Sequence, residues 1–424
     1  MTEISGGVCA ANGFSAGGVR CGIKPSSQKK DLALIYSEIP CSAAAMFTSN
    51  KVKAASVLVT QENTADGKIR AVIANSGNAN ACTGQQGTDD ARRMVKLAAD
   101  ALQIDCGEVA VASTGVIGVP LPIGVVESGI DSLKNSLRDD AQGNADALEA
   151  IMTTDTRKKE IAVEIEIDGK PVRIGAIAKG SGMIHPNMAT MLAFITTDAA
   201  ITSSALDLSL RRAVRNSFNR LTVDGDTSTN DMVLIMANGK AGNAPIVLKE
   251  AAAQSTRISA NAPVLNEEDL AVFVSALEYV CIALTKMMAR DGEGATKLVT
   301  VTVNGAQCRA TAQALAKSIA SSSLVKAACF GADANWGRVL CAMGYAGVDF
   351  EPEKTNISFK SRAGAVQVCK DGMTCNFSEE EAKKILSQEE IEIEITLFEG
   401  DGSASVWGCD LTYDYVKING DYRS

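Results

Sequence analysis

Apolar residues recur at every second position in several short runs and at every third or fourth in a few longer ones, and these two spacings divide the chain into strands and helices. Asp31 to Ser37, Ala55 to Thr60, Arg70 to Asn75 and Glu108 to Ser113 read as strands. Thr88 to Leu102 reads as an amphipathic helix: Met94, Leu97, Ala98, Ala101 and Leu102 share a face, Thr88 is a candidate N-cap, and Asp89 and Asp90 suit the positive first turn. Ile161 to Ile167 alternates apolar with acidic residues, turns at Asp168-Gly169 and resumes at Val172 to Ala178, the pattern of a hairpin that ends in a Gly-rich loop. Further on, Met188 to Thr196, Asp231 to Ala237 and Leu298 to Val303 are strand-like, the last turning at Asn304-Gly305, and Ser203 to Phe218 and Glu267 to Met288 are helical. Ile391 to Phe398 and Ser403 to Leu411 flank Glu399-Gly-Asp-Gly402 and predict a second hairpin. Helices interspersed with antiparallel hairpins predict α+β layers rather than a doubly wound parallel sheet.

Composition narrows the function classes. The 424 residues allow two or three structural units or one large multilayered one, and 46% apolar with 21% charged residues is ordinary globular usage. Aromatics are 4% against 36 glycines, so the layers must pack through small and branched side chains. Net charge is -9, and no stretch concentrates Lys and Arg with aromatics, which argues against nucleic-acid binding. The apolar run Leu270 to Leu284 is shorter than the roughly 20 residues a membrane span needs, so no membrane segment is expected, and without a leader pattern near Met1 a cytoplasmic address is the default. The 12 cysteines include no C-x-x-C pair, so most are expected to be reduced core residues, and the single histidine, His185, leaves little for metal ligation.

Short motifs mostly read as structure. Gly13-Phe-Ser-Ala-Gly17 matches G-x-S-x-G but lacks the preceding strand of a nucleophile elbow and is expected to be a glycine loop. Asp224 to Asn230 resembles a calcium loop, yet Thr229 occupies the position that requires Gly, so a self-satisfied polar turn is expected. The segment Lys179-Gly-Ser-Gly-Met-Ile-His-Pro-Asn-Met-Ala-Thr190-Met-Leu-Ala-Phe-Ile195 differs: a polar loop ends in Ala189-Thr190 and an apolar strand begins at once.

This segment resembles the self-cleaving site of the ornithine acetyltransferase family, the bifunctional glutamate N-acetyltransferases and amino-acid acetyltransferases of arginine biosynthesis. Similar blocks run in order along the chain: Asn75-Ser-Gly-Asn-Ala-Asn-Ala81, Ser113-Thr-Gly-Val-Ile-Gly118, Ile151-Met-Thr-Thr-Asp-Thr156, Thr222 to Asp231, Arg290-Asp-Gly-Glu-Gly-Ala-Thr-Lys297, Asp333-Ala-Asn-Trp-Gly-Arg338 and Ile418-Asn-Gly-Asp-Tyr-Arg-Ser424.

The resemblance implies that Thr190 attacks the carbonyl of Ala189, dividing the chain into an α chain, 1–189, and a β chain, 190–424, that assemble as α2β2. It implies a layered α/β/β/α sandwich built by both chains, with a smaller second lobe from the β chain. The freed Thr190 would carry acetyl from N-acetylornithine to glutamate by ping-pong, with Thr114 and Gly115 as the oxyanion pair. Substrate positions carry over as Thr153 (or its neighbour Thr154), Lys179, Thr190, Glu293, Asn419 and Ser424, the last a threonine in many relatives. His185 receives no catalytic role. No cofactor or metal is implied; whether acetyl-CoA is a second donor stays open. The competing readings are a self-processing amidase or aminopeptidase using the same threonine, and a non-catalytic binder that keeps the fold.

Overall fold

The structure, a computed structural model, describes residues 1–185, 191–248 and 267–421, so the predicted cleavage pair Ala189 and Thr190, the start of the Met188 strand and the terminal Ser424 lie outside the described residues. Two compact units are present: a larger one formed by Met1–Gly180, Asn187–Asn219 and Thr227–Leu284, and a smaller one formed by Ser181–Pro186, Arg220–Asp226 and Thr285–Ser424.

Two sheets make up the larger unit. One has six strands in the order β1 (Thr2–Ile4), β7 (Lys159–Ile167), β8 (Lys170–Lys179), β9 (Leu192–Thr197), β10 (Met232–Ala237), β4 (Ser42–Phe47). The other has four, β2 (Phe14–Val19), β3 (Leu32–Ser37), β5 (Ala71–Asn78), β6 (Val109–Val116). Within them only β9 with β10 and β5 with β6 run parallel. Strand alternation assigns each side chain to a layer. Ala33, Ile35, Val72, Ala74, Ala110 and Ala112 face inward to a core shared with Ile177, Phe194, Leu234 and Met236 of the six-stranded sheet. Leu34, Ile73 and Val111 face outward against Met94, Val95 and Ala98 of helix α2 (Gly84–Leu102) and Val126 and Leu133 of α3 (Ile123–Asn135). Helix α5 (Ser203–Asn216) covers the far side at β4, burying Leu206 and Leu210. The order is helix, sheet, sheet, helix, as expected, and alanine dominates the inward face of the four-stranded sheet because bulk there would push the sheets apart.

Several local expectations change. Ala55–Asn63 is a helix, α1, not a strand. Its Thr60 hydroxyl donates to the Val111 carbonyl (2.7 Å) and accepts from the Val111 amide (2.8 Å), satisfying edge strand β6, and this tertiary bond outweighs the strand preference of Val57 and Val59. Helix α2 starts at Gly84, so Thr88 lies inside it. Gly13 to Gly17 is no loop, because Phe14–Val19 is a strand; a Cβ on Gly18 would sit 2.2 Å from the Asp146 carbonyl of helix α4 (Ala141–Ile151), so glycine there permits close helix packing. Helix α6 (Glu267–Arg290) has 24 residues and is by length and composition alone able to cross a membrane, which corrects the shorter run read from sequence. Its Phe273, Leu277, Val280, Leu284 and Met288 recur at helical spacing and are fully buried in the protein, as in the core helix of a globular fold.

The smaller unit holds one sheet, ordered β14 (Met373–Thr374), β13 (Gly364–Lys370), β12 (Asn356–Ser361), β15 (Glu390–Thr396), β11 (Leu298–Ala306), β16 (Gly402–Cys409). Ile357, Ile393, Ile395, Val301 and Val406 meet Leu315 and Ile319 of α7 (Arg309–Ser321), with helices α8 (Ser323–Phe330), α9 (Trp336–Gly344) and α10 (Glu379–Leu386) beside them. On the opposite face Glu392 accepts from Thr302 and Glu394 pairs with Lys360. The predicted hairpin of Ile391 to Phe398 with Ser403 to Leu411 does not form: β11 lies between β15 and β16, parallel to the first and antiparallel to the second. The connection folds over the end of β11 instead, where the Gly305 carbonyl accepts from the amides of Glu399 (2.9 Å) and Gly400 (3.1 Å). Cys41, Cys281, Cys329, Cys369 and Cys409 are buried but Cys82, Cys106, Cys308 and Cys341 are exposed, so the core holds fewer than half of the cysteines.

Candidate active site

In the larger unit the polar ends of β5 and β6 meet. Both strands leave regular geometry at a glycine: Gly77 has φ +97° and Gly115 +137°, and the register slips at Asn78. A Cβ on Gly115 would stand 2.3 Å from the Gly77 carbonyl carbon, so no other residue fits without parting the strands. The Asn75 block shapes this bulge from its own side chains, with Asn75 donating to the Asn78 carbonyl (2.9 Å) and Asn78 to those of Val119 and Pro120 (3.1 Å each).

Thr114 and Lys179 come together at this corner, the Lys179 Nζ donating to Thr114 Oγ1 at 3.3 Å. Lys179 ends β8 and is buried. Thr153 is tied to the same neighbourhood through Asp155, whose Oδ2 accepts from the Thr153 amide (3.0 Å) and whose Oδ1 accepts from the Gly180 amide (2.8 Å) and Lys159 Nζ (2.7 Å). Burial alone would raise the Asp155 pKa; the charge of Lys179, then Lys159 with its hydrogen bond, hold it instead well below the usual carboxylate range. Thr154 follows Thr153 in the chain and is half-buried. Asn230 clamps the strand ends, donating to the carbonyls of Ala79 (2.6 Å) and Ser113 (2.8 Å), and Asp231 Oδ1 accepts from the amide of Met191, the residue after Thr190, at 3.0 Å.

In the smaller unit Glu293 and Asn419 come together. Asn419 Nδ2 donates to Glu293 Oε2 (2.9 Å), and the Glu293 amide donates to the Ser181 carbonyl (2.8 Å). A Cβ on Gly182 would lie 2.2 Å from Glu293 Oε2, so the loop backbone abuts the carboxylate. Asp224 accepts from the amides of Met183 (2.5 Å), Ile184 (2.8 Å) and Asp226 (3.2 Å), and from the Tyr415 hydroxyl (3.3 Å). The Asp224 turn is thus polar and self-satisfied, as expected, but it also anchors the loop at Ile184. Burial, then the charges of Asp224 and Glu293, hold the Tyr415 hydroxyl far above its usual pKa, so it remains a neutral donor. His185 Nδ1 lies 3.1 Å from Thr222 Oγ1, and burial, then the charge of Lys317, depress its pKa to about 4, so the ring is uncharged near neutrality.

Asp155, Asn230, Asp231 and Tyr415 were not singled out from sequence. The first three sit inside the blocks that carry the resemblance, which was the available signal; Tyr415, just ahead of the tail block, gave none. Among the described residues no group of His, Cys, Asp and Glu could hold a metal ion.

A hydroxyl, a lysine and strained glycines at the end of a four-layer sandwich make a site suited to stabilising an anionic tetrahedral centre. Comparison with known proteins gives the family. The ArgJ family matches residues 15–424. The arginine biosynthesis bifunctional protein ArgJ of Symbiobacterium thermophilum is 50% identical over the full length of both chains, and ArgJ 1 of Clostridium acetobutylicum is 52% identical over 97% of this chain and 96% of its own. Among solved structures, the ornithine acetyltransferase complexed with ornithine from Mycobacterium tuberculosis is 41% identical, covering 44% of this chain and 97% of that one, with a TM-score of 0.41. The chain belongs to the ArgJ family.

Proposed function

We propose that this acetyltransferase of arginine biosynthesis moves acetyl from N-acetylornithine to glutamate through Thr190, after cleaving itself between Ala189 and Thr190 into chains 1–189 and 190–424. The reading rests on family membership and, for the site, on one observation: Lys179 Nζ lies 3.3 Å from Thr114 Oγ1, beside Gly115 at the strand ends. The released α-amine of Thr190, with a pKa of roughly 7.7 to 8.0, takes the hydroxyl proton as Oγ attacks the acetyl carbonyl. Thr114 and the Gly115 backbone donate to the oxyanion, the tetrahedral centre collapses to an acetyl ester, and ornithine leaves carrying the proton. Glutamate's amine then reverses the sequence and departs as N-acetylglutamate. Lys179 holds a substrate carboxylate and Glu293, with Asn419, the side-chain ammonium of ornithine; Thr153 and Ser424 complete the substrate positions. The bifunctional name of the relatives supports acetyl-CoA as a second donor, and a cytoplasmic α2β2 assembly completes the reading.

Intact-mass measurement and N-terminal sequencing test the cleavage: two fragments, one starting at Thr190, are expected, and Thr190→Ala should stay one chain without transferase activity. An acetyl-transfer assay offering N-acetylornithine and acetyl-CoA separately tests the chemistry; free acetate in place of N-acetylglutamate would favour a hydrolase, and an intact chain that still turns over would overturn the mechanism.

A further inference from the structure

We propose that Asp155 is a positioning residue that holds Lys179 at the Thr114 hydroxyl. Three observations converge on its carboxylate. It is 3% exposed, its ion-pair partner Lys159 is 0% exposed, and Lys179, whose charge also acts on it, is 5% exposed. Its oxygens are fixed by the backbone rather than by mobile side chains alone, through the amides of Thr153 (3.0 Å) and Gly180 (2.8 Å). Gly180 directly follows Lys179, so the amide bond to Asp155 sets where β8 ends and where the Lys179 side chain departs. Lys159 is bound to Asp155 Oδ1 (2.7 Å) and the Arg157 carbonyl (3.2 Å), fully enclosed behind the carboxylate, and balances its charge without reaching solvent. The electrostatics agree: the charges of Lys179 and of Lys159 both lower the Asp155 pKa. A lysine is a flexible point charge on four rotatable bonds, and an anion fixed on the adjoining Gly180 amide limits where the ammonium can go. Asp155 itself is buried and acts through Lys179.

The inference rests on the proposed role of Lys179 in acetyl transfer, and its test separates the two. Asp155→Asn with Lys159→Met removes the anion together with the fully buried lysine that pairs with it, so Lys159 is not left stranded, and the amide oxygen can still accept from Gly180. This double variant should mature normally and lose about 10²-fold in kcat/KM for N-acetylornithine, as expected of a displaced positioning charge. In a Lys179→Met background the same pair of changes should alter kcat/KM by less than about twofold, because the residue it positions is gone. A loss equally large in both backgrounds would show that Asp155 acts on the fold, and would overturn the proposal while leaving the transferase reading intact. A crystal structure gives a readout independent of turnover: Lys179 Nζ should leave Thr114 Oγ1 in the double variant, and an unmoved contact would also overturn the proposal. Should the double variant not fold, Lys159→Met alone keeps Asp155 for Lys179 and should retain kcat/KM within about twofold; a drop as deep as that of Lys179→Met would sink the assignment.

Discussion

Replacing Gly115 by alanine probes the strained corner with a single methyl group. The added Cβ would stand 2.3 Å from the Gly77 carbonyl carbon, 2.5 Å from the Asn78 amide nitrogen and 2.7 Å from the Gly77 carbonyl oxygen. All three are backbone atoms of the neighbouring strand, so no side chain can swing away; β5 and β6 must part at their ends. Overpacking of this kind costs about 1–3 kcal/mol. Alanine at φ +137° adds strain of about 1–3 kcal/mol. Together the destabilisation should be about 2–6 kcal/mol, several degrees in Tm for a unit of this size. The functional loss should exceed what stability explains if the Gly115 amide has the proposed oxyanion role, because it is moved; at temperatures where the variant is fully folded, kcat should fall about 10²-fold with KM little changed. Urea unfolding and steady-state acetyl transfer read the two effects separately. A Gly115→Ala protein with unchanged unfolding midpoint would refute the steric argument, and one destabilised but with wild-type kcat would refute the oxyanion role.

Gly182→Ala is the mild counterpart: its Cβ would lie within 2.2–2.6 Å of the Glu293 carboxyl group, the free end of a flexible side chain. Glu293 should yield, breaking the Asn419 bond, so Tm should hardly move while KM for N-acetylornithine rises; an unchanged KM would free Glu293 of its assigned role. His185→Gln should flatten the acid limb of stability. The folded pKa of about 4 lies below the unfolded value of about 6.5, so the unfolded chain binds the extra proton between those pH values and wild-type stability falls as pH drops through that window. The contribution is about 1–2 kcal/mol, a full 1.4 kcal/mol per unit being discounted for partial exposure, and parallel stability curves for the two proteins between pH 7 and 4 would contradict it.

What was legible in the sequence follows from which forces act locally. Alternation in β7 and β8 with an Asp-Gly turn marked a hairpin, and Asp168 and Gly169 indeed take φ +53° and +67°, the two left-handed residues that such a turn demands. The β15 to β16 hairpin failed because Glu399-Gly-Asp-Gly402 signals a turn but not which strand lies beside it; Gly305, where a Cβ would meet the Leu397 carbonyl at 1.8 Å, lets the connection cross over β11. Ala55 to Thr60 misled for a similar reason. Its β-branched residues are intrinsically strand-like, and tertiary contacts decide for helix, among them the Thr60 bonds to Val111, far away in sequence, and the burial of Ala55 and Val59. At the candidate site, the blocks pointed to stretches of chain but not to roles within them. Thr114, Lys179, Glu293 and Asn419 stood out through the resemblance, whereas Asp155 became visible only once its three hydrogen bonds converged.

The single histidine bears on the whole mechanism. An acyl transfer near neutral pH needs a base that is unprotonated there yet basic enough to take a hydroxyl proton. His185 is a poor one: burial and the Lys317 charge bring its pKa to about 4, and its Nδ1 is engaged with Thr222. Lys179, buried beside Thr114 in the larger unit, is proposed to hold a substrate carboxylate and not to take the proton. An α-amine created by cleavage at Thr190 has the suitable pKa, roughly 7.7 to 8.0, without any imidazole. The pH profile of kcat/KM should therefore rise along an acid limb with an apparent pKa near that of an α-amine, and His185→Gln should leave the limb in place even as it alters acid stability. An acid limb that disappears with His185, in a variant still cleaved and folded, would move the base from the threonine to the histidine and overturn the proposed chemistry.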